Sequence, residues 1–299
     1  MSMEQLRSLI ARHARRGTST AAEGVLVSMV TGPGDPAAVS LSGTVFALIA
    51  QGRKTLSVGD RILDYGPGEF LVTSLDLPVR GHYTEASVQH PALGFGLRLR
   101  SSVIAELLLD SAAEPIWRRS SDAAPALAVS SADEDLIDAA LRMLRLLDRP
   151  RDIQVLAPLI EREILWRLMT GEQGATVRQL GLADSRLHDV GRAVRWIRDN
   201  PADPVSVAEL ARMAGMSESA FHRTFRTVTG MSPIRFQKQL RLHEARVILA
   251  GRAGDVTGVA HAVGYQSASQ FSREYRRQYG VPPSAHVGDA GAGASRTDT

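Results

Sequence analysis

The sequence predicts an α+β chain of two domains: an N-terminal β-barrel with flanking helices, then an all-α domain of two helix-turn-helix units. Three observations carry this. Short apolar runs of strand length, punctuated by Gly and Pro clusters, fill residues 24–100. Helical spacing replaces them after Arg100. The C-terminal third then repeats itself at an offset of about 50 residues.

In chain order, residues 3–16 space their basic and apolar positions as a short helix. Residues 25–30 and 45–50 are apolar runs of strand length. Two further runs, residues 55–58 and 61–65, flank Gly59-Asp60, a two-residue hairpin signal. Pro67-Gly68 marks a tight turn before the strand at residues 70–74. Phe95, Leu97 and Leu99 alternate with Gly96, Arg98 and Arg100, the period of a half-buried strand. Many short strands at this spacing make a sandwich or small barrel.

Val103, Leu107 and Leu108 open the helical part, and residues 115–125 read as a loop. Ser131 with Glu134 forms a capping box, followed by the stripe Leu136, Ala140, Leu144 and Leu147, which Pro150 ends. A second amphipathic helix spans residues 156–169 and stops near Gly171. Residues 172–184 read as a linker, and Leu187, Val190, Val194 and Ile197 as a helix reaching Asn200. The resulting domains are residues 1–180 and 185–286, with residues 287–299 too poor in apolar groups to order themselves.

Composition narrows the chemistry. Hydrophobic residues make up 44% of the 299, enough for buried cores. Cysteine is absent, which excludes disulfides, thiolate metal sites and thiol redox sensing. No apolar run reaches the ~18 residues of a membrane helix, and residues 1–16 lack the apolar core of a secretory signal. A cytoplasmic protein without a membrane partner is expected. Residues 201–286 hold eleven Arg and Lys against six acidic residues, a local charge of +5 in a chain of +3. A basic module beside a slightly acidic one points to a phosphate-bearing partner.

Each repeat has the same construction. In the first, Ser206 caps a short helix with Leu210, Ala211 and Ala214 inside, and Gly215 turns the chain. Ser217 caps the second helix, which Phe221 and Phe225 anchor. In the second, Asp255 is the cap and Val259, Ala260 and Val263 lie inside; Gly264 turns, Ser267 caps, and Phe271 and Tyr275 anchor. The other faces carry Ser219, His222, Arg223 and Arg226, and then Ser269, Ser272, Arg273, Arg276 and Arg277. Arg binds guanine O6 and N7 in bidentate fashion, so Arg223 and Arg273 are the leading base-reading candidates. Ser219, His222, Ser269 and Ser272 are further candidates for bases, and Ser217, Ser267, Arg226 and Arg277 for other contacts to DNA, with surface ion pairs the alternative for Arg226, Arg276 and Arg277. Between the repeats, Ser232-Pro233 opens a helix to residue 250, with Leu240, Val247 and Ile248 inside. At ~27 Å it is a rigid spacer, and two helices reading successive major grooves need ~34 Å. The implied partner is double-stranded DNA.

The stretch Gly-Met-Ser-Glu-Ser-Ala-Phe-His-Arg-Thr-Phe-Arg at 215–226, the linker-helix residues Arg241, Leu242, Ala245 and Arg246, and the run from Gly264-Tyr265 to Pro282-Pro283 resemble the AraC/XylS family of bacterial transcription regulators. The resemblance covers residues 185–284. It implies base contacts at Ser219, His222 and Arg223 in the first unit, and at Ala268, Ser269 and Arg273 in the second. Ala268 and Ser269 are small, which limits what the second unit reads. The segments 50–54, 65–71, 74–78 and 158–171 resemble the cupin-like effector domain of such regulators, with its following helices. That implies a small organic effector, RNA polymerase as a partner at promoters, and a possible homodimer. Activation is the family default, with repression left open. Lys54, His82 and Tyr83 are the polar candidates for the effector pocket, each equally compatible with a surface role.

An enzyme is the rival class, since cupin barrels often hold a metal. Such sites need a His-x-His pair, whereas His82 and His90 stand eight apart. No nucleophile elbow, Walker or dinucleotide glycine motif is present. No cofactor and no metal are expected. A second rival, a module that binds protein through its helix-turn-helix units, is opposed by the arginines on both recognition faces.

Overall fold

Short apolar runs bounded by turns set the strands of the first domain. The computed structural model describes residues 2–14, 20–37, 39–110, 125–182, 186–251 and 255–287. Its strands are β1 (Val25–Val30), β2 (Val39–Leu41), β3 (Val45–Gln51), β4 (Arg53–Val58), β5 (Arg61–Tyr65), β6 (Glu69–Thr73), β7 (Pro78–Glu85), β8 (Ala92–Arg98) and β9 (Leu127–Ser131). They pair antiparallel into a five-stranded sheet, β1-β8-β3-β6-β9, and a four-stranded sheet, β2-β7-β4-β5. The expected barrel is therefore corrected to two sheets with open edges: neither β1 with β9 nor β2 with β5 hydrogen-bonds to the other sheet. Closure needs continuous pairing around the ring, and here the fourth and fifth strands turn back on each other at Gly59-Asp60 instead.

The five-stranded sheet is buried on both faces, which is why β8 is enclosed at Gly94 and Gly96 as well as at Phe95 and Leu97. One face carries Phe46, Leu48, Phe70, Phe95 and Leu97, covered by helices. These are α1 (Ser2–Ala14), α2 (Ser101–Asp110), α3 (Glu134–Leu146), α4 (Pro150–Thr170) and α5 (Gly174–Gly181). The N-terminal helix, whose role the sequence left open, buries Leu6, Leu9 and Ile10 in that layer. Arg100 adds a charge pair to half-exposed surroundings, reaching the buried Glu161 of α4 at 2.7 Å through Nε. The opposite face, with Ile49 and Leu71, meets Leu56, Val58, Tyr65 and Val79 of the second sheet.

Three local expectations change. Asp133, not Ser131, caps α3, accepting from the Leu136 amide at 2.7 Å; Ser131 is still paired in β9. The stretch expected as linker contains α5, which buries Val177 against the helical layer. The expected loop at 115–125 lies outside the described residues except for Pro125.

The C-terminal helices are α6 (Arg186–Asp199), α7 (Val207–Met213), α8 (Glu218–Thr229), α9 (Pro233–Gly251), α10 (Val256–Ala262) and α11 (Ala268–Tyr279). In α9 the buried apolar positions are Phe236, Leu240, Leu242, Ala245 and Leu249, while Val247 is 62% exposed, contrary to expectation. Leu242, Ala245 and Leu249 recur at helical spacing, and Val247 falls on the opposite face. The core between the sheets continues without a break into the first unit: Leu75, Leu77 and Leu127 join Leu187, Val190, Phe221, Phe225 and Phe236. The Ala126 amide donates to the Val228 carbonyl at 2.9 Å across the same seam.

Candidate nucleic-acid interface

Both recognition helices are fixed by the same local chemistry. Ser217 accepts from the Ala220 amide at 3.4 Å and Ser267 from the Gln270 amide at 3.3 Å, which satisfies donors that a helix start leaves free. Gly215 and Gly264 turn the chain at φ 67° and 85°, a region that costs an L-residue ~1–2 kcal/mol. Beneath each helix lie aromatic stacks. Phe221 and Phe225 stand 5.4 Å apart, with Phe236 perpendicular to Phe225 at 5.6 Å. Phe271 and Tyr275 are also 5.4 Å apart, and Tyr279 follows at 4.6 Å. Burial pushes the Tyr275 hydroxyl up to about 12, and the hydroxyl meets His286 Nδ1 at 2.9 Å.

With those positions facing inward, helical geometry turns the others outward. Ser217, Ser219, His222, Arg223 and Arg226 are exposed on the first unit, and Ser267, Ser269, Arg273, Arg276 and Arg277 on the second. Ala268 and Ser272 are half-buried, and Ala268 packs against the second core. Arg223 and Arg273, equivalent in the repeat, make no ion pair with a described residue. Arg226 differs: it lies 3.6 Å from Asp60 at the tip of the β4–β5 hairpin. Asp60 also accepts from Arg235 at 2.5 Å, and Arg235 holds its carboxyl below the usual carboxylate range. Beside it, Gly59 presses on Gly230, the left-handed C-cap of α8, so closely that a Cβ has no room. This hairpin contact is missing from the sequence-based site. Nothing in the local pattern marks it, because Asp60 and Arg235 are 175 positions apart.

In the first domain the register decides which effector candidates meet. Lys54 lies opposite Tyr65 on β5 and Tyr83 on β7. Opposed residues share a face, and this is the face of Leu56 and Val58, between the sheets. Lys54 Nζ sits 5.3 Å from the Tyr83 ring centre, its chain passing over Gly81. Burial works to lower the Lys54 pKa, but the Tyr65 and Tyr83 oxygens outweigh it and the net shift is upward. His82 pairs with Thr55, on the other face. Tyr65, buried beside Lys54, was not singled out by the sequence. Among the described residues no three His, Asp or Glu side chains group to hold a metal.

The chain thus couples a two-sheet domain to paired, arginine-bearing helix-turn-helix units. Comparison with known proteins is specific. Residues 21–176 match the AraC-type transcriptional regulator N-terminus and residues 210–287 a helix-turn-helix domain, and the chain belongs to the AraC-type transcriptional regulators. The HTH-type transcriptional regulator MtrA of Neisseria gonorrhoeae is 31% identical over 111 residues, 37% of this chain and 36% of MtrA. The HTH-type transcriptional activator RhaS of Escherichia fergusonii is 27% identical over 153 residues, 50% of this chain and 54% of RhaS. The chain thus spans about a third to a half of the length of these relatives. ToxT from Vibrio cholerae, solved with an unsaturated fatty acid bound, has the same fold, with a TM-score of 0.53, 9% identity, and coverage of 88% of this chain and 93% of ToxT. The relatives are regulators, and the enzyme alternative finds no support among them. No helix among the described residues is long and apolar enough to cross a membrane.

Proposed function

We propose that this chain is an effector-responsive regulator that reads promoter DNA with both helix-turn-helix units. One observation carries this: two identically capped and anchored recognition helices each present an arginine, Arg223 and Arg273, that no described carboxylate engages. Base contacts then fall to these two, with Ser219, His222, Ser269 and Ser272 beside them. Ser217, Ser267, Arg226 and Arg277 are placed for phosphate at helix ends and flanks. Ala268 offers only its methyl group, which suits a thymine methyl.

The effector would lie between the sheets, with Lys54 and Tyr83 in contact and His82 outside the pocket. The fatty acid in ToxT and an ammonium group between apolar sheets favour an organic acid. Its binding would shift the population of DNA-competent conformations through the core shared with α8. RNA polymerase as a partner, a second copy of the chain and a cytoplasmic setting belong to the same proposal, supported by family membership. For the second copy, the exposed Val155, Leu159 and Trp166 of α4 are the surface to vary in sedimentation experiments.

Selection of binding sites from random duplex, followed by affinity measurement against salt, tests the central reading. A bipartite consensus and a steep salt dependence are expected. Absence of any preferred sequence, with or without organic acids supplied, would refute it.

A further inference from the structure

Among the described residues the two helix-turn-helix units do not share an apolar core. Phe221, Phe225, Phe236 and Leu240 belong to one cluster, and Leu242, Ala245, Leu249, Val259, Phe271 and Tyr275 to another. The linker helix α9 thus gives its first half to one unit and its second half to the other, and the division falls at Arg241. Apolar packing is non-directional and holds each unit together. The angle between them is held by the continuous helix α9 and by the polar contacts that bridge it.

A polar junction spans the division. Arg241 Nε donates to the Pro201 carbonyl at 2.6 Å, and Nη2 to the Ala202 and Asp203 carbonyls at 2.9 and 3.0 Å, all in the loop between α6 and α7 of the first unit. Its Nη1 donates to the Gly264 carbonyl, in the turn of the second unit, at 3.1 Å. Gln237, one turn earlier, donates to Pro201 at 3.0 Å and also to Asp203. Gly264 lies against Ala202 so closely that any side chain there would collide with backbone. On the next face, Lys238 pairs with Glu274 of α11 at 2.5 Å, and Tyr265 donates to the same carboxylate at 2.9 Å. Burial works to raise the Glu274 pKa, but these partners hold it below the usual range.

We propose that Arg241 is a positioning residue that locks the two recognition helices at one separation and one angle, and so sets the spacing the operator must have. The planar guanidinium fixes direction as well as distance, because its donors lie in one fork. The four-stranded sheet is a second, indirect link, since β7 lends Val79 to the first core while β2 lends Val39 to the second and Asp35 pairs with Arg246 at 2.8 Å; Arg241 joins the turns of the two units directly. Each base pair inserted between half-sites moves one by ~3.4 Å and turns it by ~35°. A locked pair cannot follow such a change. A hinged pair can.

The inference rests on both units reading DNA, and the experiment separates the two claims. The full wild-type chain selects a bipartite operator, and its affinity is compared on duplexes with the spacer lengthened or shortened by one and two base pairs. Wild type is expected to lose at least tenfold. Arg241→Met is expected to bring the native-to-shifted ratio several-fold closer to one, with half-site affinity unchanged. Arg241→Lys, which keeps the charge but cannot span both loops, should behave alike and carries the test if the methionine variant does not fold. A wild type indifferent to spacing overturns the two-unit reading, and this inference with it. A spacing preference that both variants retain overturns the positioning role alone.

Discussion

Truncating Phe225 to alanine tests the continuity of the core across the two domains. Phe225 is fully buried, wedged between Phe221 and the perpendicular ring of Phe236. Removing a buried phenylalanine costs ~3–5 kcal/mol, and two ring contacts place this site toward the upper part of that range. At ~2–4 °C per kcal/mol, the unfolding midpoint should fall by roughly 10 °C or more. The cluster that loses the ring also holds Leu77 and Val79 at the β7 end of the second sheet. Hydrogen exchange should therefore lose protection in β7 together with α8. Calorimetry and exchange on the full chain measure both. A midpoint shift under ~2 °C, or loosening of α8 with β7 still protected, would refute a shared core.

Further outcomes follow from the same geometry. Arg223→Ala or Arg273→Ala should leave the midpoint unchanged and cost ~1–3 kcal/mol at the selected operator but not on random duplex, whereas Arg277→Ala should weaken both alike and flatten the salt slope; competition binding distinguishes these. Gly59→Ala should destabilise more than Gly34→Ala: both glycines have positive φ, but only at Gly59 does the new methyl meet the Gly230 carbonyl, so equal midpoints would remove the hairpin seam from the account. Lys54→Met should abolish the stabilisation of the full chain by medium-chain carboxylic acids without changing effector-free DNA affinity, and thermal-shift titration reads this directly. Burial lowers the pKa of His243 from 6.5, with Arg246 adding to the effect and a backbone hydrogen bond at Val39 opposing it. The unfolded chain then binds the extra proton first, so stability should fall as pH drops through ~6.5 and on toward the lowered folded value; denaturant titrations of His243→Gln should show a flatter dependence over that window.

The recognition units were legible because their signals are local. A serine two or three residues after a glycine turn, with two aromatics four apart, specifies cap, turn and buried face within one stretch of chain. The strands were legible for the same reason, through alternation and Gly-Pro punctuation. What failed was long-range or multiply determined. Closure of the strands into a barrel depends on which edges pair. The cap of α3 depends on where β9 stops, and that moved it from Ser131 to Asp133. The inner face of α9 was misassigned at Val247 because both units compete for the helix. Among the effector candidates, pairing register places Lys54 and Tyr83 inside and His82 outside, a difference of one residue that alternation alone cannot orient.

The amino-acid order by itself determined the class of protein, its paired recognition helices and the arginines they present, since each follows from contacts within a few turns of chain. Tertiary structure alone decided that the first unit shares its core with the N-terminal sheets, that Asp60 meets Arg226 and Arg235, and that Arg241 joins loops from both units. Those contacts unite residues tens to hundreds of positions apart. Their energies arise only when packing brings the partners together, and no local pattern encodes such a meeting.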